Sequence, residues 1–159
     1  VDDRRVAPGR HPLAPGALAP GRRTLAPGAL ALVAAGGAVG GLARHGIGRA
    51  FPTAPGAFPT TTLVINVVGA FLLGTLLTVL ARRGTPDHRL RLVLGVGALG
   101  AFTTFSTLAV DVVRLGRSGR PWLALADATV SVVAGIAAVV AGHRVGRIGA
   151  RARGGAPTT

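Results

Sequence analysis

Apolar residues run in four long blocks along the chain, at 29–49, 58–81, 90–115 and 121–142, and the stretches between them hold most of the charge. Crossing about 30 Å of hydrocarbon takes roughly 20 helical residues. Each block therefore predicts one transmembrane helix, with short connections. The second is the cleanest, because 61–81 holds neither a charge nor a proline. The fourth opens on Pro121, a residue suited to a first helical turn, and Gly142 is the expected stop before a basic tail. The first is weaker: 15 uncharged residues, 29–43, precede Arg44, and a basic lead before a short apolar run also suits a secretory signal. Its glycines, Gly36, Gly37, Gly40 and Gly41, favour a buried span, since small residues four apart make a smooth face for another backbone.

Outside this four-helix domain, 29–142, the pattern changes. Residues 1–28 repeat Ala-Pro-Gly at 7–9, 14–16, 19–21 and 26–28, which no helix sustains, and read as a flexible Ala/Pro/Gly/Arg-rich tail. Composition bias or a misplaced start of translation accounts for such a tail better than a recruiting role does. Residues 143–159 read as a basic C-terminal tail.

Composition agrees with the blocks. The chain is 49% hydrophobic and 14% charged with a positive mean hydropathy, against roughly 25% charged in soluble proteins, which argues against both a water-soluble globule and a disordered chain. The absence of cysteine removes disulfides, thiolate zinc sites and cysteine nucleophiles. A net charge of +13 invites nucleic acid, yet all 18 basic residues are arginines and most flank the apolar blocks, so membrane-flanking charge explains the balance. Thirteen arginines fall on the side shared by both tails and the second connection; Arg49, Arg114, Arg117 and Arg120 fall on the other, and Arg44 lies inside the first span. That bias predicts a multi-pass protein of the cell membrane with both termini cytoplasmic. An enzyme is not expected, since His11, His45, His88 and His143 lie in tails, connections or span ends with no serine or carboxylate pair at catalytic spacing.

Two polar features sit at membrane depth. Asn66, in the second block, is costly there unless paired or facing water, so it either glues helices together or lines a pathway. The third block carries Gly95, Gly97 and Gly100, then Thr103, Thr104, Ser106 and Thr107 within five positions. This is the poorest helix of the four. A break whose carbonyls face a cation is one expectation; an unbroken helix with hydroxyls bonded to the preceding turn is the other.

The motifs GGAVGGLAR (36–44), VINVVGAFLLG (64–74) and GALGAFTTFSTLAVD (97–111), in that order on the first three blocks, resemble the CrcB/Fluc family of fluoride channels over roughly 34–140. The resemblance implies an all-α membrane protein of four helices, the third broken near its middle, pairing as an antiparallel dimer with two fluoride pathways and a structural, untransported sodium ion. Carried over, the sodium ligands are the backbone carbonyls of Gly100 and Thr103, and the fluoride pathway is Asn66, Phe105, Ser106 and Thr107. Arg44 matches a vestibule arginine, although snorkelling to lipid headgroups explains it equally. Amide and hydroxyl hydrogens and the edge of a phenyl ring are groups a small anion can use.

Departures from that pattern are specific. Leu108 stands where a second pore phenylalanine is usual, and Asp111 where glutamate is frequent. Asp127 replaces a position expected to be neutral and is expected near the interface beside Arg120 or Arg117. The implied activity is passive export of fluoride. The alternatives are a small proton-coupled multidrug exporter, for which the first three blocks lack a central carboxylate, and a structural membrane subunit without transport. Because 13 arginines against four is poorly balanced for insertion both ways, pairing with an oppositely oriented paralogue is expected beside the homodimer.

Overall fold

The computed structural model describes residues 27–82 and 88–154, with side chains to Ile148. The tail 1–26 lies outside them. Every regular element among the described residues is helical: α1 (Pro27–Ala50), α2 (Thr60–Arg82), α3 (His88–Leu90), a π-helix π1 (Arg91–Leu99), α4 (Gly100–Phe102), α5 (Phe105–Arg117) and α6 (Pro121–Gly154). Four stretches, Pro27–Ala50, Thr60–Arg82, His88–Arg117 and Pro121–Ile148, are long and apolar enough to cross a membrane.

Small residues bring the helices together. The most extensive packing is α2 on α6 and α1 on π1. A Cβ added at Gly36 would collide with the Val93 carbonyl oxygen, and one at Gly40 with that of Ala98, so π1 lies directly on the backbone of α1. The nine residues of π1 use wider turns than an α-helix, with the Gly100 N–H bonded back to Gly95 O. On the other contact, Gly74 of α2 meets Val139 O of α6, while Gly142 and Gly146 meet the carbonyls of Phe71 and Thr75. The Thr75 hydroxyl is shared between Phe71 O (3.0 Å) and Gly142 O (3.1 Å), and the Thr78 hydroxyl lies 2.8 Å from His143 Nδ1.

Two boundaries differ from the sequence reading. Pro27 and Gly28, placed in the tail, form the first turn of α1, where the missing proline N–H costs nothing. The fourth helix does not stop at Gly142 but continues to Gly154. Gly142 is buried against α2, and its lack of a side chain serves close approach rather than termination. The expected basic tail is thus helical as far as it is described.

The turn between α5 and α6 is tight for a definite reason. Gly119, at φ 74°, takes the left-handed conformation, with its N–H on Gly116 O (3.3 Å) and the Arg120 N–H on Leu115 O (3.0 Å), a Schellman close. Pro121 then starts α6. Few large apolar side chains are buried within one copy, chiefly Ile65, Leu80, Leu108 and Leu115, whereas Val39, Leu42, Val64, Leu125, Val133 and Ile136 lie open. Such an apolar exterior suits lipid or another subunit, not water.

Candidate functional site

The site begins where the third span leaves helical geometry. Thr103 (φ −75°, ψ 151°) and Thr104 (φ −146°, ψ 114°) are extended between α4 and α5. The Thr103 N–H still reaches Leu99 O at 3.1 Å, but the next N–H, of Thr104, turns to Asn66 Oδ1 at 2.8 Å. Asn66 Nδ2 in turn donates to Thr104 O at 3.0 Å. One amide on α2 thus satisfies both polar groups of a peptide segment that has left its own helix, as backbone at membrane depth requires. Thr104 also caps α5, its Oγ1 accepting the Thr107 N–H at 3.1 Å and lying 2.9 Å from Thr107 Oγ1 and 3.1 Å from Ser106 Oγ.

Two clefts meet at this residue. The larger, about 530 Å³, is mostly apolar and runs between α2, α6 and the extended pair, with Asn66, Thr103, Phe105, Leu108 and Ser131 in its wall. The second, about 190 Å³, carries Arg44, His45 and Arg49 from α1, Thr61 and Thr62 from α2, and Thr107 from α5. Thr104 lines both. Arg44 does not extend outward: its Nε donates to Ala101 O at 3.1 Å, which fixes one edge of the guanidinium on the third span.

The expected residues are therefore divided between two spaces. Asn66, Thr103 and Phe105 share the larger cleft; Arg44 and Thr107 share the smaller; Ser106 is exposed. Gly100 lies one turn before the extended pair, also exposed. Phe105 is 81% exposed while Leu108 is 8% exposed, so the two differ sharply in burial though both edge the larger cleft.

A family model described as CrcB-like protein, Camphor Resistance (CrcB), matches residues 31–143. The chain belongs to the CrcB family. It is 49% identical over 114 residues to "Fluoride-specific ion channel FluC 2" of Symbiobacterium thermophilum, an alignment covering 71% of this chain and 93% of the relative. It is 43% identical over 117 residues to "Fluoride-specific ion channel FluC" of Agrobacterium fabrum (73% and 94%), and 42% identical over 117 residues to the protein of the same name from Solibacter usitatus (73% and 96%).

Within this CrcB-family chain, one expectation is corrected. Asp127 is not solvated beside Arg120 or Arg117. It is fully buried, Oδ1 accepts from Ser131 Oγ at 3.3 Å, and Oδ2 has no hydrogen-bond partner. The reason is the direction of α6: six residues after Pro121, Asp127 falls on the inward face with Ala124 and Ser131, while the Arg120 guanidinium turns back to Gly56 O at 2.5 Å. Asp111 is held by Thr62 Oγ1, which donates to Oδ2 at 2.8 Å. In the sequence Thr104 is one of four hydroxyls in the third block, with no role of its own. Its signal lay in the hydroxyl followed three residues on by Thr107 after a glycine-rich stretch, an N-cap pattern inside a presumed span.

Proposed function

We propose that this chain is a subunit of a fluoride-specific ion channel that lets the ion leave the cell passively through the cell membrane. The observation that carries the reading, beside membership of the family, is the run of hydrogen-bond donors around Thr104: the Asn66 amide on one side, the hydroxyls of Ser106 and Thr107 on the other, and Arg44 in the wall of the smaller cleft. A fluoride ion gives up a tightly held hydration shell, and fixed N–H and O–H groups replace it with no carboxylate among the described residues that line the two clefts. Asn66 Nδ2 keeps a second hydrogen beyond the one given to Thr104. The exposed edge of Phe105 adds the positive rim of its quadrupole.

The third span acts in this reading as a broken helix whose freed carbonyls, those of Gly100 and Thr103, hold a structural sodium ion. The donor chemistry fits: neutral, hard backbone oxygens suit a monovalent cation, and among the described residues no cluster of three or more histidines and carboxylates competes for a metal. Bound there, the ion supplies fixed positive charge and is not transported. Two carbonyls are too few for one cation, so a second subunit of opposite orientation completes the site. The open larger cleft and the exposed Phe105 suit that contact. The 13-to-four arginine bias favours an oppositely oriented paralogue as that subunit.

The test is efflux from liposomes holding the folded chain, followed with a fluoride electrode, with chloride measured in parallel. Fluoride-selective efflux is expected, from the chain alone or after co-reconstitution with an oppositely oriented paralogue; none in either case overturns the reading. Arg44→Gln should lower efflux about 3- to 10-fold, with the deficit shrinking as salt rises above 0.15 M, because a vestibule charge acts by concentrating the anion. Unchanged efflux would leave Arg44 only its bond to Ala101.

A further inference from the structure

In an α-helix the N–H of residue i+4 occupies the carbonyl of residue i. Gly100 O would be paired with the Thr104 N–H, and Thr103 O with the Thr107 N–H. Both donors are diverted. The Thr104 N–H is 2.8 Å from Asn66 Oδ1, and the Thr107 N–H is 3.1 Å from Thr104 Oγ1. A single residue, Thr104, therefore takes the helical donor from each of two carbonyls, one by giving its own N–H to α2 and one by accepting with its side chain.

We infer that Thr104, clamped by Asn66, is the positioning residue that keeps the Gly100 and Thr103 carbonyls available to a monovalent cation. This rests on the sodium reading above and assigns to two side chains that would not touch the ion the task of exposing its ligands. The clamp is two-sided, since Asn66 Nδ2 also holds Thr104 O at 3.0 Å, so the extended conformation of Thr104 is fixed from α2 rather than left to the glycine-rich span. Removing either half closes one carbonyl: without Oγ1 the Thr107 N–H returns to Thr103 O, and without the Asn66 amide the Thr104 N–H returns to Gly100 O. The same amide faces the larger cleft, so anion path and cation site share one support.

The experiment melts the purified full chain in detergent while sodium chloride replaces N-methylglucamine chloride at constant ionic strength, and reads the sodium concentration giving half-maximal thermal protection. Thr104→Ser, which keeps the accepting oxygen, should match the unmodified chain. Thr104→Val and Asn66→Ala should each need about 10- to 100-fold more sodium, the usual cost of removing a group that orients a metal ligand. If Thr104→Val does not fold, Thr104→Ala carries the same test. Protection of a folded Thr104 variant lacking the hydroxyl at the unmodified chain's sodium concentration overturns the inference alone. Absence of any sodium protection in the unmodified chain, both alone and together with an oppositely oriented paralogue, overturns the sodium reading and this inference with it.

Discussion

Alanine at position 66 should stop fluoride efflux and lower stability by about 2–4 kcal/mol, as two half-buried backbone groups lose their partners. The amide is the only side chain that bonds both the N–H and the C=O of Thr104 among the described residues, at 2.8 and 3.0 Å. Truncation lets the Thr104 N–H return to Gly100 O and the extended peptide fall back toward helix, which moves the hydroxyls of Ser106 and Thr107. Asn66→Asp separates the two roles. It retains an oxygen for the Thr104 N–H and so keeps more of the stability, but it sets a negative charge on the proposed anion path, and efflux should be lost as completely. Fluoride-electrode efflux normalised to monodisperse protein, with melting followed in parallel, checks both. Efflux at the unmodified level from Asn66→Ala would remove this residue from the pathway.

A single methyl group at Gly36 or Gly40 should cost about 3 kcal/mol or more, the upper end of what overpacking does, because the atoms in the way are the backbone carbonyls of Val93 and Ala98. Side chains can swing aside; the rigid peptide units of π1 cannot. Gly41→Ala is the control with the opposite sign. No atom lies within 4 Å of its added Cβ, so the gain in helix propensity, about 0.5–1 kcal/mol, should appear as a higher melting temperature. Equal tolerance at 36 and 41, by thermal melting in detergent, would mean that α1 does not lie on π1 through this face.

These variants mark where reading residues in order stops being enough. The four glycines of the first block form one pattern on paper, yet an added Cβ would strike the third span at Gly36 and Gly40, come no nearer to it than 4.0 Å at Gly37, and meet nothing within 4 Å at Gly41. Which pair is buried depends on the rotation of α1 about its axis, and an apolar helix whose outer face meets lipid carries little amphipathic signal to set that rotation. The same difficulty hid the role of Gly142. A glycine before arginines reads as a stop, but arginine is a good helix former, and α6 continues because Gly142 and Gly146 let α2 approach. Asp127 was misplaced for a related reason: spacing along α6 gives its depth, whereas its burial beside Ser131 follows from which face α2 and α5 cover.

What the chain's own order of residues determined was whatever depends on length and composition. Four apolar runs must become four helices, because unpaired backbone is not tolerated in hydrocarbon, and the third, with Gly95, Gly97 and Gly100 before four hydroxyls, is the weakest of them. The family motifs lay on those same runs. Only the tertiary structure decided where the backbone turns extended and what holds it there. The choice of Thr104 rests on a side chain 38 residues earlier, Asn66, whose amide meets it only after α2 has been drawn against the third span. No local propensity records a hydrogen bond between segments that far apart, because its partners come within reach only through the packing of the whole bundle.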